Sequence, residues 1–258
     1  KRYMLSAQLS YDITDWLNIS GRVRVDNTHT KYEQKLYASS NLTITEESTQ
    51  GHYTISKPDE TQTYADVLAN INKRFNDFSL VANVGASIVN NRYEDLSYRG
   101  PIREKGIPNV FNVFDLDNTK KKARQDEWQE QTQSVFASVE VGWKSMLYLT
   151  LTGRNDWASQ LANSSTPCFF YPSVGLSGVI SEMLTLPEFI DYMKVRGSFS
   201  SVGMPYPRNL TSPTYEYDEA NQQWKPKTHY PIKDLKPERT NSWELGLDMR
   251  LFKDFSLG

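Results

Sequence analysis

Three aromatic side chains stand close together in the C-terminal part of the sequence, Tyr215, Tyr217 and Trp224, with Asp218, Glu219, Asn221 and Gln222 between or near them. Flat rings among amides and carboxylates suit sugars: the ring takes the C–H face and the polar groups take the hydroxyls. The competing use of the same rings is to pack the loop on itself or against another protein. A second group, Arg154, Asn155, Asp156 and Trp157, closes an alternating run and reads as a brace at the rim of a strand.

Other chemistry is weaker. His29, His52 and His229 form no His-x-His or His-x-x-x-His pair, so no metal site is expected from them. Asp115-Leu116-Asp117-Asn118 echoes a calcium loop but lacks the central glycine and closing glutamate; loop calcium has no support beyond that echo, and no cofactor is expected. Gly175-Leu176-Ser177-Gly178 has the wrong glycine spacing for a nucleophile elbow. Lys120-Lys121-Lys122-Ala123-Arg124 is a short basic run beside acidic residues and reads as a solvated loop. Carboxylates are plentiful, but no spacing selects a glycosidase pair, so the chain is not expected to be an enzyme. With a net charge of -2 and no clustered basic face, it is not a nucleic-acid binder either. The single cysteine, Cys168, can neither staple the chain nor build a metal site.

The elements that carry these residues are strands. Leu5, Ala7, Leu9 and Tyr11 alternate with Ser6, Gln8 and Ser10. The same period of two runs through Leu17–Val25, Ala65–Ile71, Phe78–Ile88, Val135–Trp143, Leu147–Leu151, Val174–Ile180, Val195–Phe199 and Trp243–Leu251. This predicts about nine strands of roughly 8–13 residues, a length that crosses a membrane when tilted. Mean hydropathy is low, at -0.62, which a barrel tolerates because only alternate residues meet lipid.

Connections alternate between short and long. Short turns are expected near Asp12–Asp15, Arg74–Asp77, Gly142–Ser145 and Phe252–Asp254. A somewhat longer one, Ser181–Tyr192, is expected to hold a helical turn starting at Pro187. Long loops are expected at 27–60, 90–130, 157–168 and 204–238. Aromatics gather at the short side: Tyr11, Trp16, Phe75, Phe78, Trp143, Tyr192, Phe252 and Phe255. Short periplasmic turns, long extracellular loops and an aromatic girdle are the marks of an outer-membrane barrel. The rival is a soluble all-β glycan-binding surface module. A barrel turns Leu147, Leu149 and Leu151 outward against lipid, whereas a sandwich buries them.

Four stretches carry a family likeness. They are Thr14–Arg22; Leu149–Trp157 followed by Phe170-Tyr171-Pro172-Ser173-Val174; Leu186-Pro187-Glu188-Phe189 with Lys194–Phe199; and Leu235–Thr240 followed by Trp243-Glu244-Leu245-Gly246. Together, and in order, they resemble the SusC/RagA-type TonB-linked outer-membrane proteins of Bacteroidetes. The resemblance implies a bacterial outer-membrane barrel of about twenty-two strands around an N-terminal plug. It also implies energy delivered by TonB, a SusD-like surface lipoprotein as partner, and import of an oligosaccharide, with peptide as the alternative. Residues 1–258 then form one partial barrel domain, both ends reading as cuts through a longer protein, with the plug and TonB box outside this chain. On this view Arg154, Asp156 and Trp157 brace the rim or touch the plug or the partner.

Overall fold

The computed structural model describes residues 1–204, 206–218, 220–227, 231–232, 234 and 236–258. The strands are β1 (Arg2–Thr14), β2 (Leu17–His29), β3 (Tyr32–Leu36), β4 (His52–Ser56), β5 (Asp59–Phe75), β6 (Phe78–Pro101) and β7 (Lys122–Trp143). They continue with β8 (Leu147–Ala158), β9 (Cys168–Val179), β10 (Ile190–Met204), β11 (Tyr215–Asp218), β12 (Gln223–Pro226), β13 (Glu238–Leu251) and β14 (Phe255–Leu257). One antiparallel sheet runs in the order β1-β2-β5-β6-β7-β8-β9-β10-β13-β14, with β3 and β4 attached beside it; β11 and β12 form a separate hairpin. Each long strand pairs with its sequence neighbour on the wall, as expected of an up-and-down barrel wall.

Register turns the sequence alternation into two continuous faces. One row reads Leu17, Ile71, Ala82, Val139, Leu151, Val174, Phe199 and Trp243, crossing eight strands. The row one residue away reads Asp12, Asn18, Asn70, Asn83, Ser138, Thr152, Ser173, Ser200 and Ser242. Polar neighbours in that row bond across strands: Asn18 Nδ2 donates to Asp12 at 2.6 Å, and the Thr152 and Ser173 hydroxyls are 2.8 Å apart. A slip of one residue would invert every strand, so the pattern fixes the register.

The apolar row has no cover among the described residues. Leu147, Leu149 and Leu151 are 37%, 38% and 47% exposed, the outward arrangement, not the buried one of a sandwich. The well-buried apolar side chains lie mostly elsewhere, in the Ala158, Leu161 and Phe169 cluster and at Tyr53 and the Ile102–Leu116 bridge, towards the long-loop ends of the strands. At the opposite end, Phe75, Phe78 and Trp143 are register neighbours on the apolar face. Lys73 lies over the Trp16 and Phe75 rings and Lys144 over Trp143. The tight turns there need left-handed backbone, found at Asn76, Lys144, Ser145, Phe252 and Lys253.

Several expectations are corrected. Strands reach into the stretches 27–60 and 90–130: β3 and β4 lie within the first, and β6 and β7, 24 and 22 residues long, take up about half of the second. Their outer parts are polar on both sides, so no alternation betrays them. Where β5 begins at Asp59, the β3–β4 hairpin takes over its place: β4 pairs with β6 from Ser56↔Ser97 to His52↔Pro101. Asp95 fills the gap at this break, accepting from Ser56 Oγ at 2.8 Å and Lys57 N at 3.0 Å. The expected helical turn is α1 (Ile180–Met183), not one starting at Pro187. Leu184 N closes it on Ile180 O, while the Pro187 carbonyl accepts from Ile190 N in a turn that leads into β10.

Candidate functional site

The polar face is a lattice of charge pairs and amides held by strand register. Arg22 donates from Nε and Nη2 to Asp66 at 2.9 and 2.6 Å, with its guanidinium over the Tyr64 ring. Arg24 donates to Gln62, and Gln62 to Asn91, carrying the network across three strands. Arg2 donates from Nε to Asp26 at 2.8 Å. Charges so paired can line water or face a second protein part without the penalty an isolated charge would carry against lipid.

The structure brings Arg154 and Asp156 together and separates Trp157 from them. Arg154 and Asp156 lie on the polar face, where Arg154 Nε donates to Asp156 at 2.8 Å and Nη2 donates to Ser134 at 2.7 Å. The Tyr171 hydroxyl donates to the other Asp156 oxygen, and Arg154 lies over the Phe136 ring. Trp157 registers with Gln133 and Cys168 on the opposite, apolar face and is 44% exposed.

Tyr215, Tyr217 and Trp224 also come together. Tyr217 is directly opposite Trp224 in the β11–β12 hairpin, and Tyr215 is opposite Pro226, so all three rings share one face. Tyr217 and Trp224 meet edge to face at 5.4 Å, and all three remain exposed. The other face is tied by Lys225, 3.5 Å from both Glu216 and Asp218. The Asn221 side chain and backbone amide hold the Asp218 carboxyl below the usual carboxylate range. Glu219, His229 and Leu235 lie outside the described residues.

The remaining candidates are absorbed into loop structure. Asp115 pairs with Arg103 at 2.8 Å, and Asp117 accepts from Thr119 N and Oγ1. His29 Nδ1 is 2.5 Å from Asp59. Among the described residues, no three His, Cys, Asp or Glu side chains converge as a metal site would require.

Sequence reasoning missed a further group on the polar face: Tyr93, Trp128, Glu130 and Arg208. Tyr93 and Trp128 stack with centroids 5.5 Å apart, and Arg208 lies over Trp128 while pairing with Glu130. Glu130 and Arg208 are 78 residues apart, and no local spacing joins them.

Comparison with known proteins fits this arrangement. The family model for the TonB dependent receptor-like β-barrel matches residues 1–258. The chain belongs to that family. Its apolar face therefore meets outer-membrane lipid, its polar face the barrel interior, and its long-loop end the outside. Of the solved structures, that of the RagAB peptide transporter matches with TM-score 0.77 and 16% identity, over 98% of this chain and 29% of that one. The RagAB peptide importer in its open-open state matches with TM-score 0.74, 16% identity and the same coverages. The siderophore receptor PiuA from Acinetobacter baumannii matches with TM-score 0.56 and 15% identity, over 96% of this chain and 37% of that one. At such identities the likeness is one of fold, and the chain spans less than half the length of these structures. No curated protein matches the sequence.

Proposed function

We propose that this chain is the wall and outer loops of an importer that takes an oligosaccharide across the outer membrane, driven through TonB. The observation that carries the substrate reading is the exposed three-ring face of Tyr215, Tyr217 and Trp224 at the outer mouth. Rings side by side on a hairpin can accept successive sugar units by stacking, with Gln222 near enough in sequence to meet hydroxyls. Capture would occur with a SusD-like surface lipoprotein, and a plug and TonB contacts outside these residues would complete the pathway. The Arg154–Asp156–Tyr171 cluster and the Arg22–Asp66 lattice face inward, where such a plug would dock. No bond is made or broken in this role, so the protein is not an enzyme.

Peptide is the second reading. Its support is that the structures matched over 98% of this chain are of a peptide transporter, and that the same rings could hold apolar side chains. The test is uptake of labelled oligosaccharides and peptides by cells carrying the full-length protein, with and without TonB. TonB-dependent sugar uptake that falls several-fold in Trp224→Ala and Tyr217→Ala is expected. Peptide uptake with no sugar uptake would replace the first reading with the second, and uptake indifferent to TonB would sink both.

A further inference from the structure

The segment after β10 lies across the inward face of the wall. Tyr206 packs against the Ala158, Leu161 and Phe169 cluster. Thr211 Oγ1 donates to the Gln160 carbonyl at 3.3 Å, and Asn163 Nδ2 donates to Ser212 Oγ at 2.7 Å. Between these anchors Arg208 reaches β7. Its guanidinium carbon is 3.8 Å from the centroid of Trp128, and its Nη1 donates to Glu130 Oε1 at 2.8 Å.

The place it occupies is electron-rich. Trp128 stacks beside Tyr93 with their planes 12° apart. Register puts Glu60 opposite Tyr93 on the far side from Trp128, and Asp95 opposite Asp126 on the same face. Asp95 is committed to Ser56 and Lys57, and Asp126 to Arg124 at 2.6 Å. Glu130 is the carboxylate turned to the guanidinium. From Phe78 to Tyr93 the strand climbs roughly 50 Å, or about 35 Å along the membrane normal at a 45° tilt, which is above an apolar band about 25 Å tall. The shelf therefore stands inside the outer mouth, on the way in.

An indole face with a carboxylate at hydrogen-bonding distance is a receptor for a cation: the ring quadrupole attracts it and the carboxylate orients it. Here a residue of the protein's own loop fills it. We propose that the Trp128–Glu130 shelf binds the cationic group of an imported solute, and that Arg208 holds the place until the solute displaces it. This rests on the importer reading above and adds a charge requirement to it. The shared chemistry is a cation over an indole face: on the oligosaccharide reading it is the amine of a deacetylated amino-sugar oligomer, and on the peptide reading the guanidinium of an arginine-bearing oligopeptide.

The test is equilibrium binding to the purified full-length protein in detergent. The probes are a short peptide with one arginine, the same peptide with citrulline, a glucosamine oligomer and its N-acetylated form. A cationic probe should bind about tenfold or more tightly than its neutral counterpart. Glu130→Gln and Trp128→Leu should each remove that preference, while Arg208→Ala, by deleting the internal competitor, should strengthen cationic binding several-fold. The opposite signs separate a displaced stand-in from a simple brace. Retained heat-modifiable gel mobility shows that each variant is folded. If the pattern appears with the glucosamine oligomer rather than the arginine peptide, the cation is a sugar amine. Equal binding of charged and neutral probes, or weaker cationic binding in Arg208→Ala, overturns the proposal. No energised membrane is involved, so this result and the TonB-dependent uptake result can fail independently.

Discussion

Placing an arginine at Leu151 tests which face of the wall meets lipid. Leu151 sits in the apolar row between Val139 and Val174. It lies five to six positions above the Lys144–Ser145 turn, which at about 3.3 Å per residue and a tilt near 45° is about 13 Å up. That is close to the middle of an apolar band about 25 Å tall, where an arginine costs about 2–4 kcal/mol. At about 1.4 kcal/mol per factor of ten, the folded-to-unfolded ratio should fall roughly 30- to 700-fold. The control is Thr150→Arg, one residue away on the inward face, where Thr150 Oγ1 bonds to Glu140 at 3.3 Å. An arginine there has a carboxylate and water to meet, and should change stability by only about 0.5 kcal/mol. Urea unfolding of the full-length protein in lipid vesicles, followed by tryptophan fluorescence, measures both. If Leu151→Arg costs no more than Thr150→Arg, the assignment of faces is wrong and the barrel reading falls with it.

Two further predictions concern polar groups near the outer rim. Burial above all pulls the pKa of His52 down, with Arg99 adding to this and Glu46, 3.6 Å away, opposing it. The folded segment thus prefers neutral imidazole. His52 should contribute fully above its unfolded pKa near 6.5, and that stability should be lost as pH falls through the lower folded value. Hydrogen exchange at Gly51–Thr54 and Ile102, corrected for intrinsic rates, should speed up between pH 7.5 and 5 in the native protein but not in His52→Gln; equal protection at both pH values would contradict this. Asp156→Ala leaves Arg154 Nε and the Tyr171 hydroxyl without their acceptor. Because Arg154 is about a third exposed, water replaces part of the loss, and the cost should be about 1–2 kcal/mol. Asp156→Asn should cost less, and a loss below about 0.5 kcal/mol in Asp156→Ala would show that the cluster is not held together as described.

How much could be read in advance follows the physics of each part. Leu147, Leu149 and Leu151 announced their strand by alternation, and the short turns and family likeness, not the alternation, pointed them outward. The short turns and their aromatics were legible because a membrane interface selects side-chain type locally. The outer parts of β5, β6 and β7 were not legible. Both sides of Asn90–Pro101 and Lys122–Gln133 meet water or other loops, so nothing in the composition records which way a side chain points. The β3–β4 hairpin was hidden likewise, since Asp95 and the register at Ser56↔Ser97 take effect only when distant segments meet.

The candidate site divides along the same line. Tyr215, Tyr217 and Trp224 were visible as a cluster because a short hairpin brings near neighbours together. Arg154 and Asp156 were grouped with Trp157, although the period of two that puts Arg154 and Asp156 on one strand face places Trp157 on the other. Arg208 on Trp128, paired with Glu130, was decided only by the tertiary structure: a loop after β10 crosses β9 and β8 to reach β7. By itself the sequence determined a membrane wall with an apolar outside and a polar inside. What stands on that inside at the mouth, and which of the protein's own groups occupies it, depended on how a long loop folds back.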